Sequence, residues 1–130
     1  MLPCTLVIFT VQIAAVLACS CADTSMEDIF CQSDFVSKVR VNGELARINF
    51  MVYTVEHVTI FKQPDNFTLP TEVYTPLSAA TCGVKLSNGQ YTVLAGTIID
   101  DHLTVELCST IDPAFNTCEF SAMNCTSNIV

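Results

Sequence analysis

The chain has 130 residues and a formal net charge of −8, from 5 Lys and Arg against 13 Asp and Glu. The length suits one domain, and the charge excludes a basic nucleic-acid-binding face, because neutralising phosphates takes clustered cations. Eight cysteines place so short a chain in an oxidising compartment with a disulfide framework.

Residues 1–18 carry no charged side chain, and from Thr5 to Ala18 only Gln12 is strongly polar. A bilayer span takes about 20 residues, so this stretch reads as a signal peptide, with Val16-Leu17-Ala18 ending it on a small residue. Cleavage before Cys19 predicts a secreted, extracellular domain over 19–130 with no membrane anchor. Val-Leu-Ala-Cys also approximates a lipobox, in which Cys19 would take a lipid. The other cysteines and a glycosylation sequon favour the secreted alternative.

Seven cysteines follow the cut: 19, 21, 31, 82, 108, 118 and 125. Three bridges then leave one thiol over. Ser25 with Asp28 resembles a capping box opening a short helix through Cys31, with Met26, Ile29 and Phe30 on its buried face. Beyond it the pattern is β. Phe35 to Val41 alternates, with Phe35, Val39 and Val41 inward and Lys38 and Arg40 outward. Asn42-Gly43 predicts a hairpin turn. Leu45 to Phe61 predicts one long strand, straight or bent by a bulge, with its even positions from Ala46 to Ile60 toward the core. Lys62 to Asn66 is a loop, and Phe67 to Tyr74 is a strand broken at Pro70. Val84 to Leu86, Asn88-Gly89 and Tyr91 to Ile98 predict a hairpin. Asp100-Asp101 turns the chain into His102–Cys108, with Leu103, Val105 and Leu107 inward. Asp112-Pro113 predicts the start of a helix over 114–123.

Five or six strands with a helix at each end imply a mainly β fold. The count fits a five-stranded Greek-key OB-fold-like barrel with short flanking helices, stapled by disulfides, whose closure removes sheet edges.

Catalytic constellations are missing from this pattern. The only histidines, His57 and His102, read as exposed strand residues, and there is no zinc-binding histidine pair, phosphate loop or nucleophile elbow. Enzyme activity is therefore not expected. Cys19-Ser20-Cys21 offers a different chemistry. If both cysteines are bridged, a terminus that would ordinarily fray is pinned. The α-amine and carbonyl of Cys19 could then form a five-membered chelate on a metal. The amine, with a reference pKa of about 7.7–8.0, loses its proton readily near neutral pH. A catalytic zinc keeps one position open for water, and such a terminus could fill it. The alternative is that both residues are framework cysteines and nothing more.

These residues resemble the N-terminal domain of the tissue inhibitors of metalloproteinases, within the netrin-like module class. The resemblance covers nearly all of the mature chain. It begins at Cys19-Ser20-Cys21 and Phe30-Cys31, and continues through Ser33-Asp34-Phe35-Val36 and Lys38-Val39-Arg40. It resumes at Val73-Tyr74-Thr75 and Ser78–Val84, and again at Leu94-Ala95-Gly96 and Leu103–Cys108. It implies bridges Cys19–Cys82, Cys21–Cys108 and Cys31–Cys125. Cys118 is then spare, either buried or joined to another chain; Cys118 in place of Cys125 is the competing third pairing.

The resemblance also implies an inhibitory ridge of Cys19, Ser20, Cys21 and Ala22 beside Ser78, Ala79, Ala80, Thr81 and Cys82. Cys19 would hold the zinc of a target metalloendopeptidase of the matrix type, and Ser20 would enter the specificity pocket. No cofactor of its own is implied, and extracellular matrix is a further implied partner. The chain departs from the family in having Asp23 where proline is usual, a short hairpin at Asn42-Gly43, no tryptophan after Pro113, and no second subdomain before Val130. A non-inhibitory netrin-like module that binds matrix or receptors is the alternative function. Asn66-Phe67-Thr68 is a glycosylation sequon, and Asn124-Cys125-Thr126 also fits the pattern.

Overall fold

The structure is a computed structural model that describes residues 19, 21, 25–111, 115–123 and 125. Five strands close a barrel: β1 (Phe35–Ala46), β2 (Phe50–Lys62), β3 (Glu72–Pro76), β4 (Tyr91–Ile99) and β5 (His102–Thr104). Their order around it is β1-β2-β3-β5-β4. All neighbours pair antiparallel except β3 with β5, where Val73 meets Leu103 in parallel register. This is the expected mainly β, five-stranded barrel with short helical segments and three disulfides.

The barrel interior collects Phe35, Val39 and Val41 from β1, Tyr53 and Val55 from β2, Val73 from β3 and Leu94 from β4. Leu103 and Val105 join it from β5 and just beyond, and Leu69, Val84 and Leu86 from the connecting segments. A second apolar cluster lies outside the barrel against Val36, Val93 and Ala95. There α1 (Met26–Gln32) presents Ile29 and Phe30, capped as expected by Ser25, whose hydroxyl accepts from the Asp28 N–H. Phe120 fills the space between, stacked on Phe30 at 4.8 Å and tilted against Phe61 at 5.0 Å. Lys62 closes the helix end, its Nζ donating to the carbonyls of Phe30 and Cys31.

Several expectations need correction. Asn42-Gly43 is not a turn: β1 runs through it with a register shift between Val41 and Gly43, and the chain reverses at 47–49 instead. The predicted long strand is thus the end of β1, a turn, and β2. Within β2 the residues that enter the barrel core are odd rather than even, although Val52 on the expected even face is also buried. Met51, Tyr53 and Val55 point inward, while Thr54, Glu56, Val58 and Ile60 are exposed. Outward Val58 and Ile60 mimic a core face.

His57 is likewise not an exposed strand residue. Its Nδ1 lies 2.8 Å from the hydroxyl of fully buried Ser37, and its Nε2 lies 2.7 Å from the Pro70 carbonyl. His102 is exposed as expected, tilted on Tyr74 at 4.7 Å.

The segment 67–71 forms no strand; β3 starts at Glu72. Val84 to Leu86 also forms no strand, because side chains take its backbone donors. The Val84 N–H donates to Thr75 Oγ1 and the Leu86 N–H to the Tyr53 hydroxyl. The turn at Asn88-Gly89 survives, with Gly89 at φ +85°. β5 stops at Thr104, and Leu107 is exposed rather than inward because the chain tightens into a 3-10 turn, Leu107–Ser109. The C-terminal helix is a 3-10 segment, Thr117–Ala122, capped by Asn116. The expected start at Asp112-Pro113 lies outside the described residues.

Candidate functional site

The segment leaving β3 is held at both ends. Ser78 caps the 3-10 turn Ala79–Thr81: its Oγ accepts from the Ala80 N–H, and its carbonyl accepts from the N–H groups of Thr81 and Gly83 and from Thr81 Oγ1. Short polar residues do this in turns because their side chains reach nearby backbone. Gly83 then passes so close to β3 that a Cβ there would overlap the Pro76 carbonyl oxygen. Before it, Cys82 takes φ +67°, a conformation uncommon for residues other than glycine. Ser78, Ala80 and Thr81 are exposed. The backbone of this segment is therefore fixed while its outer surface is open.

Two disulfides bring the N-terminal residues to this segment. Cys19 pairs with Cys82 at a Cα separation of 5.4 Å, and Cys21 pairs with Cys108 at 5.3 Å. A main-chain bond adds a third tie, from the Leu107 N–H to the Cys82 carbonyl at 2.8 Å. The sulfurs of Cys19, Cys82 and Cys108 lie within 4.8 Å of one another. They belong to bridges rather than thiolates, so this cluster offers no ligands of the kind a structural zinc takes. The two bridges instead form one adjacent pair of staples under the first residues of the predicted mature chain.

Cys19, Cys21, Ser78, Ala79, Ala80, Thr81 and Cys82 are thus placed within one continuous region. Ser20 and Ala22, the remaining members of the expected ridge, lie outside the described residues, as do the predicted signal segment 1–18, Asp23 and Asn124. The third bridge, Cys31–Cys125, joins α1 to the C-terminal segment. Cys118 is the free thiol, and it is exposed rather than buried.

The contacts that position the ridge from below were not legible beforehand. Thr75 is fully buried, and its hydroxyl receives the Val84 N–H. Leu77 donates to the Asn49 carbonyl at 3.3 Å, which ties the β1–β2 turn to the segment's start. Threonine at the end of an apolar strand was the only signal for the first; the second depended on a turn placed elsewhere by the Asn-Gly pair. Among the described residues no helix is long and apolar enough to cross a membrane.

Comparison with known proteins bears on what such a region does. The sequence model of the family described as tissue inhibitor of metalloproteinase matches residues 17–124. A Caenorhabditis elegans protein named "Putative metalloproteinase inhibitor tag-225" is 37% identical over 122 residues, covering 84% of this chain and 77% of its own length. Metalloproteinase inhibitor 3 of Xenopus laevis is 29% identical over 99 residues, or 72% of this chain and 46% of that protein. Metalloproteinase inhibitor 4 of Mus musculus is 28% identical over 108 residues, or 74% and 48%. The chain spans about half the length of these two vertebrate relatives. These relatives are named as inhibitors, not enzymes, and on the match over most of its length the chain belongs to the tissue inhibitor of metalloproteinase family.

Proposed function

We propose that the chain is a secreted inhibitor of zinc metalloendopeptidases, and that the α-amine and carbonyl of Cys19 ligate the catalytic zinc of the target. The observation that carries this is the double staple: Cys19 and Cys21 are bridged to Cys82 and Cys108, which fixes the backbone on either side of Ser20. A rigid chelate forfeits little conformational entropy on binding. Cys19 supplies two donor atoms in place of the zinc-bound water, and the amine does so once it has released its proton. Ser20 enters the pocket that receives a substrate side chain, and the surface formed by exposed Ser78, Ala80 and Thr81 lies along neighbouring subsites. The protein needs no cofactor of its own, because the metal belongs to the protease.

Cleavage after Ala18 is the condition for this chemistry, since only a processed chain has a free amine on Cys19. Expression of the whole chain in a secreting eukaryotic host tests it. The expected product starts at Cys19 by intact mass and blocks a matrix-type zinc endopeptidase stoichiometrically, while serine and cysteine proteases are unaffected. A product starting at Cys19 that leaves zinc endopeptidases fully active would overturn the proposal and favour a matrix- or receptor-binding module.

A further inference from the structure

The loop joining β2 to β3 is anchored along one side and open along the other. Leu69 is buried in the barrel core and Phe67 packs against it. The carbonyl of Pro70 lies against His57 Nε2 at 2.7 Å. Gln63, Pro64, Asp65, Asn66 and Thr68 are all exposed. Asn66 sits in the turn at φ +61°, a left-handed conformation that asparagine adopts more readily than most residues. Among the described residues its carboxamide has no hydrogen-bond partner.

Asn66 is also the first residue of Asn-Phe-Thr, the acceptor tripeptide for N-linked sugar. A glycan is bulky and needs a surface position. Here the residue between acceptor and hydroxyl, Phe67, secures the loop to the core while Asn66 and Thr68 face solvent. We infer that Asn66 is an N-glycosylation site whose glycan projects from the end of the barrel remote from the Ser78–Cys82 segment. That segment adjoins the Phe50 end of β2, through Phe50 opposite Pro76. Asn66 follows the Lys62 end of the same strand of 13 residues, each adding about 3.3 Å in an extended chain.

In the modification, the carboxamide nitrogen of Asn66 bonds to the anomeric carbon of a lipid-pyrophosphate-linked oligosaccharide. The bond from that carbon to the pyrophosphate oxygen breaks, the lipid pyrophosphate leaves with the electron pair, and one amide proton is lost to a base. No oxidant or reductant is involved. The inference rests on the secretory route proposed above.

The test is peptide mass spectrometry of the full chain secreted from a eukaryotic host, before and after peptide N-glycosidase. The Asn66 peptide should carry an oligosaccharide and be recovered as aspartate after digestion. Asn66→Asp, which tolerates the same backbone angle, and Thr68→Ala should each remove the modification, while Thr68→Ser keeps it. Inhibition should be the same with and without the sugar. An unmodified Asn66 peptide in secreted, three-bridged protein would overturn the inference, and a shift traced only to Asn124 would do so equally. An unmodified Asn66 in a protein that still inhibits sinks this inference alone; a glycosylated Asn66 in a protein that does not inhibit sinks the proposed function alone.

Discussion

Thr75 and Tyr53 show how single hydroxyls hold the segment behind the ridge. Each takes a backbone N–H that has no strand partner, from Val84 and Leu86 respectively. An orphaned buried donor costs roughly 1–3 kcal/mol. Thr75→Val, nearly isosteric, should therefore lower unfolding free energy by about 1–3 kcal/mol in a denaturant titration. An unchanged midpoint would show that water replaces the hydroxyl. The Ser37–His57–Pro70 chain is a similar clip between β1, β2 and the loop before β3. It escaped notice in the sequence because period-two alternation assigns a face by neighbours, and β2 carries apolar Val58 and Ile60 on its solvent side. Lys62 closes α1 with its ammonium partly buried. That burial lowers its pKa below the ordinary lysine value, opposed by the charge of Asp34.

The strands and α1 were largely legible in the sequence, because β1 alternates from Ser37 to Asn42, Asn88-Gly89 marks the turn into β4, Leu103 and Val105 alternate with exposed or half-buried neighbours, and Ser25 with Asp28 marks a helix start. What was not legible follows from long-range contacts. The Asn42-Gly43 pair has the chemistry of a turn, but β1 keeps pairing with β2 past it, Gly43 opposite Thr54 and Ala46 opposite Met51. The arm 84–86 has the look of a strand, but its donors are taken by side chains from β2 and β3. The ridge segment is defined by a contact that no local pattern reveals, the approach of Gly83 to Pro76. Gly83→Ala should force this segment away from β3. A loss of about 1–3 kcal/mol in stability, together with weakened inhibition, is expected from melting and titration against a zinc endopeptidase. Wild-type potency in this variant would mean that the ridge tolerates displacement.

Across the molecule the disulfides divide into two kinds. Cys19–Cys82 and Cys21–Cys108 close separations of 63 and 87 residues and carry the ridge. Cys31–Cys125 closes 94 and secures the outer aromatic cluster of Phe30, Phe61 and Phe120. By chain entropy each contributes about 4–5 kcal/mol, so stability alone does not separate them. Function should. The double variant Cys31→Ser, Cys125→Ser should unfold at a lower temperature yet inhibit fully below its transition. Cys21→Ser with Cys108→Ser should lose potency even where it remains folded. Equal loss of potency in both would argue that the ridge depends on global stability rather than on its local staples. The cysteine pairing was implied by family resemblance and not by spacing, since the sequence leaves seven cysteines and one unmatched.

The proposed chemistry requires that the Cys19 nitrogen itself reach the metal, and adding a single alanine before Cys19 separates this from every other contribution. The extended and authentic proteins should melt at the same temperature, because the bridges and barrel are untouched. The extended form should bind a zinc endopeptidase at least about a hundredfold more weakly, a loss of about 2.7 kcal/mol. Equal inhibition constants for the two folded proteins would contradict chelation by the N-terminus.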